Sequence, residues 1–300
     1  MNKSSSLSAT QPNRTVSWAP PPPPNRKRQG CCIVILLLPL LLVGCLIASL
    51  YLIGGRTNVV ILGLDTREPG SDLGRSDTII LTTFAPRQPY LGMLSIPRDL
   101  WVSIPDYGEN RINTAHFFAE ADNPGSGPEA AMDVIRENFG VDLRYYVRVR
   151  FDGFLDLVDL IDGVSVDLPV AMSGYPAGVH HLNGEQALAF VRDRSGSDDF
   201  YRMHRSQIFI KALLKHMLEP AVWRQLPDIL PLVITMVDTN LPPTKWLPIG
   251  ITLLRVGQEG IDARVISREM THPFTTSEGA QVLGPNWQAI NPVLLEMFGQ

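Results

Sequence analysis

Along this chain two hydrophobic rhythms alternate. Continuous apolar, β-branched runs predict buried strands, and apolar residues recurring at i, i+3, i+4 and i+7 predict helices with one face in a core. Asn58 to Leu64 (NVVILGL) is such a run, ending in Asp65-Thr66-Arg67. A loop with Pro69, Gly70 and Gly74 leads through Arg75-Ser76-Asp77 into a second strand, Thr78 to Phe84, and a third covers Tyr90 to Ile96. Pro97 stops the third strand, so Arg98 and Asp99 emerge at its tip. Asn110 to Phe118 leads a loop into a short helix, and ADNPGSGP breaks the chain. Pro128 to Asn138 has the marks of a helix, with proline in its first turn and Gly140 past its end.

Further on, Tyr145 to Val149 alternates as a strand, and Phe154, Leu157, Val158 and Ile161 mark a helix closed by Gly163. Val164 to Leu168 is another strand, LNGEQALAFVR is helix-like, and Phe200 to Leu218 is a longer helix with Met203, Ile210, Leu214 and Met217 facing inward. After residue 220 the chain is apolar and punctuated by prolines; helices are expected at Thr244 to Arg255 and Trp287 to Phe298, with a strand at Ala263 to Ser267. Strands interleaved with helices predict an α/β fold, an α/β/α sandwich around a mixed central sheet.

The first 54 residues follow neither rhythm. Residues 1–30 are polar, with a Ser-rich run and five consecutive prolines, Pro20 to Pro24, a composition that cannot bury a core and predicts a disordered, partly polyproline II tail. From Cys31 to Ile53 all side chains are apolar or small, enough as a helix for a bilayer core of roughly 30 Å. Arg26, Lys27 and Arg28 precede that run and only Arg56 follows closely. A single-pass transmembrane helix over 31–54 is therefore expected, with a cytoplasmic amino terminus and an exported domain. A cleaved signal peptide fits less well, because the run is long and no Ala-x-Ala site follows it. Leu42-Val43-Gly44-Cys45 resembles a lipoprotein box, but an apolar stretch follows the cysteine. The exported part divides, on this reading, into a main domain over 55–220 and a carboxy-terminal extension over 221–300 packed on it.

Composition narrows the function. At 300 residues and 45% hydrophobic the chain can bury a sizeable core. A net charge of -4 argues against nucleic acid, which is normally met by a net basic surface. All three cysteines, Cys31, Cys32 and Cys45, lie in the apolar run, so the exported part has no disulfide. His180, His181 and His204 have no carboxylate or thiol at ligand spacing and are expected in loops or at the surface.

The basic residues are clustered, however. Val191 to Gln207 (VRDRSGSDDFYRMHRSQ) packs Arg192, Arg194, Arg202 and Arg205 with Asp193, Asp198 and Asp199 into 17 residues. Such a run also describes a solvated, salt-bridged helix face. Yet guanidinium forks match pairs of phosphate oxygens, and the amino end of the following helix favours an anion, so the run suits a pyrophosphate. Asp198 and Asp199 could instead cap that helix.

Taken in order, NVVILGLDTR, GRSDTIILTTF, MLSIPRDLWVSIP, RINTAHFF, FDGFLDLVDLIDGVSVDLP, LNGEQALAFVRDR and DDFYRMHRSQ resemble the successive blocks of the LytR-CpsA-Psr family over about residues 58–218. The resemblance implies a membrane-anchored phosphotransferase. It would move a glycan phosphate from a polyprenyl-pyrophosphate carrier to a peptidoglycan hydroxyl, with the lipid in an apolar groove. It implies Asp65 and Asp77 near a Mg²⁺ (or Mn²⁺) ion, with Asp77 and Arg98 as catalytic residues. Arg98, Arg192, Arg194 and Arg202 would hold the pyrophosphate, Asp199 would orient the arginines, and Arg75 and Arg205 are further candidates. The sequence departs from the family where Ser206 stands in place of a usual glutamine, with Gln207 next. The same site could serve a polyprenyl-pyrophosphate pyrophosphatase, or a non-catalytic binder that regulates the envelope.

Overall fold

The structure, a computed structural model, describes residues 38–45, 48, 55–65, 71–150, 153–193, 199–257 and 260–299, with the backbone alone at Asp65. Residues 38–45 are helical and belong to a compact unit of their own, Met1–Leu46; a second unit covers Ile47–Gln300. The expected tail over 1–30 and most of the expected membrane span lie outside the described residues. Among those described, no helix is long and apolar enough to cross a membrane.

In chain order the strands are β1 (Thr57–Asp65), β2 (Arg75–Ala85), β3 (Tyr90–Ile96), β4 (Trp101–Ile104), β5 (Gly108–Arg111), β6 (Tyr145–Arg150), β7 (Val164–Leu168), β8 (Gly178–Leu182), β9 (Val237–Thr239), β10 (Ile261–Val265), β11 (Thr271–Thr275) and β12 (Gln281–Pro285). The helices are α1 (Thr114–Asp122), α2 (Gly127–Phe139), α3 (Phe154–Leu160), α4 (Gly184–Arg192), α5 (Asp199–Met217), α6 (Pro220–Trp223), α7 (Leu226–Met236), α8 (Pro243–Val256) and α9 (Trp287–Phe298).

The central sheet has the order β10-β3-β2-β1-β6-β9. It is mixed: β1 pairs parallel with β6 and β3 with β10, while the other neighbours are antiparallel. Side chains alternate across it. Leu62, Leu81 and Leu94 face a core with Ile135 and Phe139 of α2 and Leu294 of α9. On the opposite face Ile80 and Met93 pack with Ile210 and Leu214 of α5 and Leu253 of α8. Helices therefore cover both faces of the sheet, the α/β/α arrangement the rhythm predicts. Each such side chain fully buried contributes about 2 kcal/mol against a cost in chain entropy. A third cluster joins α3, α4 and α7 to the hairpin β7–β8, which carries the exposed His181.

Local chemistry sets the boundaries. Pro128 opens α2, and Gly140 closes it at φ 67, donating to the Arg136 carbonyl. Asn183 and Gln186 form a reciprocal capping box on α4. The hairpin β4–β5 was not expected from the pattern, because its four-residue strands are too short to establish a period.

The expected boundary at residue 220 does not divide the sheet from an appendage. Strands β9 and β10, both beyond it, form the two edges of the central sheet. Tyr90 on β3 donates to Asp262 on β10 at 2.8 Å, and Arg264 grips Glu296 of α9 at 2.7 and 2.8 Å. Residues 221–300 thus complete the fold.

Candidate functional site

The site begins at a flaw in the sheet. Gly63 faces Thr78 across β1 and β2, but Leu64 faces Ser76, so Asp77 is the extra residue of a β-bulge. A bulge bends its strand and re-aims a side chain. Asp77 meets Arg98, which emerges two residues past β3, directly after Pro97: Arg98 Nη1 donates to Asp77 Oδ2 at 2.8 Å. Asn113, just before α1, donates its amide to Asp77 Oδ1 at 3.2 Å.

Asp199, the first residue of α5, reaches the same arginine. Its Oδ2 accepts from the Arg98 backbone N–H at 3.3 Å, and its Oδ1 lies 3.2 Å from Arg98 Nε. Arg202, one turn along α5, donates to Asp199 and, at 3.2 Å, to the backbone carbonyl of Asp77. Asp99 closes the group, 3.6 Å from Arg98 Nε and 3.1 Å from Arg111 Nε. Three aspartates and three arginines from separate segments thus share one half-buried cluster. Burial pulls the Arg98 pKa down, but Asp77, Asp199 and Asp99 outweigh it and the pKa is raised. Burial raises that of Asp199, against the pull of Arg202 and Arg98.

The other expected residues are placed less uniformly. Arg192 is exposed at the end of α4. Arg75 is exposed too, its guanidinium 6.0 Å over the Phe117 ring. Arg194 and Asp198 lie outside the described residues, as does the Asp65 side chain. Backbone pairing sets Asp65 opposite Arg75, at the end of the strand pair where Asp77 bulges. Arg205, a further candidate for the diphosphate, is 3% exposed and donates to the Asp193 carbonyl at the end of α4. Burial lowers its pKa. Ser206 and Gln207 are also buried, and the Gln207 amide goes to the Arg264 carbonyl on β10.

The expected divalent ion can be tested against these groups. Asp77 spends one contact per oxygen on Arg98 and Asn113, which leaves acceptor capacity on a carboxylate. Asn113 Oδ1 and Ser76 Oγ are buried with no hydrogen-bond partner among the described residues. Mg²⁺ needs only one or two carboxylates when phosphate oxygens and water complete its shell. No group of three or more His, Cys, Asp or Glu side chains suited to a metal occurs among the described residues. The donor set fits an ion shared with a phosphate ligand better than a closed protein cage.

The LytR_cpsA_psr family matches residues 50–294, far more than half of the chain. The chain belongs to that family. Among relatives, it is 34% identical to the polyisoprenyl-teichoic acid--peptidoglycan teichoic acid transferase TagU of Oceanobacillus iheyensis, over 66% of this chain and 63% of the relative. The match therefore spans just under two thirds of that relative's length. The chain is 27% identical to the regulatory protein MsrR of Staphylococcus aureus, over 81% of this chain and 75% of the relative. Among solved structures, Bacillus subtilis TagV aligns with TM-score 0.66 at 24% identity, covering 82% of this chain and 98% of that one. A structure described as TagT bound to LIIa-WTA aligns at 0.62 and 21% identity, over 82% and 92%. At these identities the structures establish a shared fold.

Around this cluster lies a further set of contacts that the residue pattern does not predict. His116, one turn beyond Asn113, sets its Nδ1 3.0 Å from the Gly74 carbonyl, and burial lowers its pKa, so the neutral ring donates there. Arg148 on β6 is 5% exposed; it reaches Asp72 at 3.0 Å, Asp238 at 2.8 Å and Glu120 at 3.4 Å. Arg150 adds a contact to Asp72 at 3.1 Å. Asn113 and His116 thus bracket residues 74–77 while the strand arginines pin residue 72. The available signal was YYVRVR, where arginines sit at alternate positions of a half-buried strand.

Proposed function

We propose that the protein is a membrane-anchored phosphotransferase acting on polyprenyl-pyrophosphate-linked glycans outside the cytoplasmic membrane, with peptidoglycan as acceptor. The convergence of Arg98, Arg202, Asp77 and Asp199 from three distant segments carries this reading. In the reaction an acceptor hydroxyl oxygen bonds to the glycan-bearing phosphorus and the bridging P–O bond breaks. Polyprenyl phosphate departs with that electron pair, and the hydroxyl proton passes to a base. Such chemistry asks chiefly for positioning and neutralisation of phosphate charge. Arg98 is held at the reacting phosphate by Asp77 and Asp199, while Arg192, Arg194 and Arg202 orient the donor's diphosphate, including the departing polyprenyl phosphate. Asp65 and Asp77 would hold a magnesium or manganese ion, which when bound adds positive charge at the phosphate oxygens.

The likeness to a protein named regulatory protein MsrR supports a second reading, a non-catalytic binder of the same lipid. Transfer of a radiolabelled lipid-linked glycan to peptidoglycan, by the full chain in detergent, separates the two. Wild-type protein is expected to transfer label and Asp77→Ala to lose at least roughly a hundredfold in rate. Lipid binding without transfer, unaffected by Asp77→Ala, would establish the binder, and polyprenyl phosphate released with water as sole acceptor would establish a pyrophosphatase.

A further inference from the structure

A cavity of ≈ 360 Å³ lies against the Arg98 cluster, lined among others by Asp99, Asp199, Phe200, Arg268, Thr271 and Gln281. Ligand pockets begin at about this size. We infer that it is a saccharide subsite, receiving a sugar unit of the glycan acceptor. Naming that sugar the acceptor rests on the phosphotransferase reading; the binding site itself rests on the cavity.

Position is the first argument. Asp99 and Asp199 form a wall common to the cavity and the cluster, since both also meet Arg98. A hydroxyl in the cavity is therefore one side chain away from the guanidinium assigned to the reacting phosphate.

The lining gives the second. Carboxylates, an amide and the Thr271 hydroxyl offer acceptors and donors to a polyol, while Phe200, Pro273 and Leu283 offer apolar surface to the C–H face of a pyranose. A pyrophosphate would meet two aspartates there against the single guanidinium of Arg268. Charge thus sorts the two substrates, the anionic donor toward the arginines and the hydroxyl-rich acceptor toward this cavity.

The far wall is also built to stay in place. Leu283 N donates to the Asp99 carbonyl at 3.0 Å, and Arg111 Nη2 donates to the Gln281 carbonyl at 2.9 Å, which ties the β11–β12 hairpin to the loop after β3 and to the end of β5. Strand alternation puts His272 and Phe274 on the opposite side of the hairpin, where Phe274 meets Trp101 edge-on at 6.2 Å. Arg268 stands 5.4 Å over the Phe200 ring and joins the hairpin side to the start of α5.

The test is calorimetric titration of the detergent-solubilised full chain with chitotetraose, a β-1,4-linked N-acetylhexosamine probe. Thr271→Trp fills the cavity; Gln281→Ala removes a side-chain amide while keeping the backbone carbonyl that Arg111 grips, and so keeps the fold should the tryptophan variant be lost. Wild-type protein is expected to bind, and each variant to bind roughly tenfold more weakly, as for one lost polar contact or more. No binding by wild-type protein, or equal binding by wild type and Gln281→Ala, overturns the subsite. In transfer assays the variants should raise the acceptor KM by roughly the same factor at unchanged lipid KM. Should wild-type protein bind chitotetraose yet never transfer glycan, the phosphotransferase reading falls and the saccharide site stands. Should transfer proceed with acceptor KM unaltered in Gln281→Ala, the saccharide site falls and the phosphotransferase stands.

Discussion

Arg98 holds its place by being over-determined: Asp77, Asp99 and Asp199 compete for one guanidinium, and Asp199 also grips its backbone N–H. A side chain so fixed suits charge that develops during reaction, because little reorganisation is needed. Arg192 is exposed at a helix end and suits ground-state attraction of the diphosphate. Arg98→Ala is therefore expected to lower kcat by roughly 10²–10³ with lipid KM nearly unchanged. Arg192→Ala should raise lipid KM, costing about 1.5–3 kcal/mol for a lost charge-assisted contact. Steady-state kinetics with a synthetic polyprenyl-pyrophosphate glycan checks both, and equal loss of binding in the two variants would refute the division of roles. The motif SIPRD made Arg98 legible. Arg202 donating to the Asp77 carbonyl was not, because a backbone acceptor carries no sequence signature.

Between elements, the bulge at Asp77 matters only if the segment before it is held, and β6 holds it. Buried Arg148 meets buried Glu120 and the part-exposed Asp72 and Asp238. Arg148→Met would leave those carboxylates without their cation and should cost about 3 kcal/mol. Urea unfolding measures it, and a loss within about 0.5 kcal/mol would show the brace to be ornamental. The edge strand β10 carries a pH signature. Burial raises the Asp262 pKa, but hydrogen bonds from Arg264 and Tyr90 outweigh it, and the pKa ends below its ordinary value. A carboxylate whose folded pKa is depressed stabilises the protein above its unfolded pKa, about 3.9, and that contribution is lost as pH falls through the folded value. Asp262→Asn should therefore melt below wild type at pH 6, and the two should converge as pH falls below about 4. A gap independent of pH would contradict this. Arginines at alternate positions of β6 were visible in the sequence; their partners, 28 to 90 positions distant, were not.

For residues 55–299 as a unit, the sheet is closed at both edges by late segments, β9 beside β6 and β10 beside β3. Ending the chain at residue 220 would strip both edges, and with them α9, whose Leu294 and Phe298 lie in the main core. Such a truncation is expected to lose cooperative unfolding, read by circular dichroism during a thermal melt; a sharp two-state melt would show that 55–220 folds alone. Hydrophobic period and turn residues determined the elements, since burial on one face of a strand or helix is written in residue spacing. The clustered arginines pointed to a diphosphate, because only a few residue types serve one, and the resemblance to the LytR-CpsA-Psr family supplied the expected role of each residue. Which strand lies beside which, that Asp77 bulges towards Arg98, and that Arg205 turns inward were decided by the tertiary structure. Those outcomes depend on pairings between segments far apart in the chain, and local sequence patterns hold no record of them.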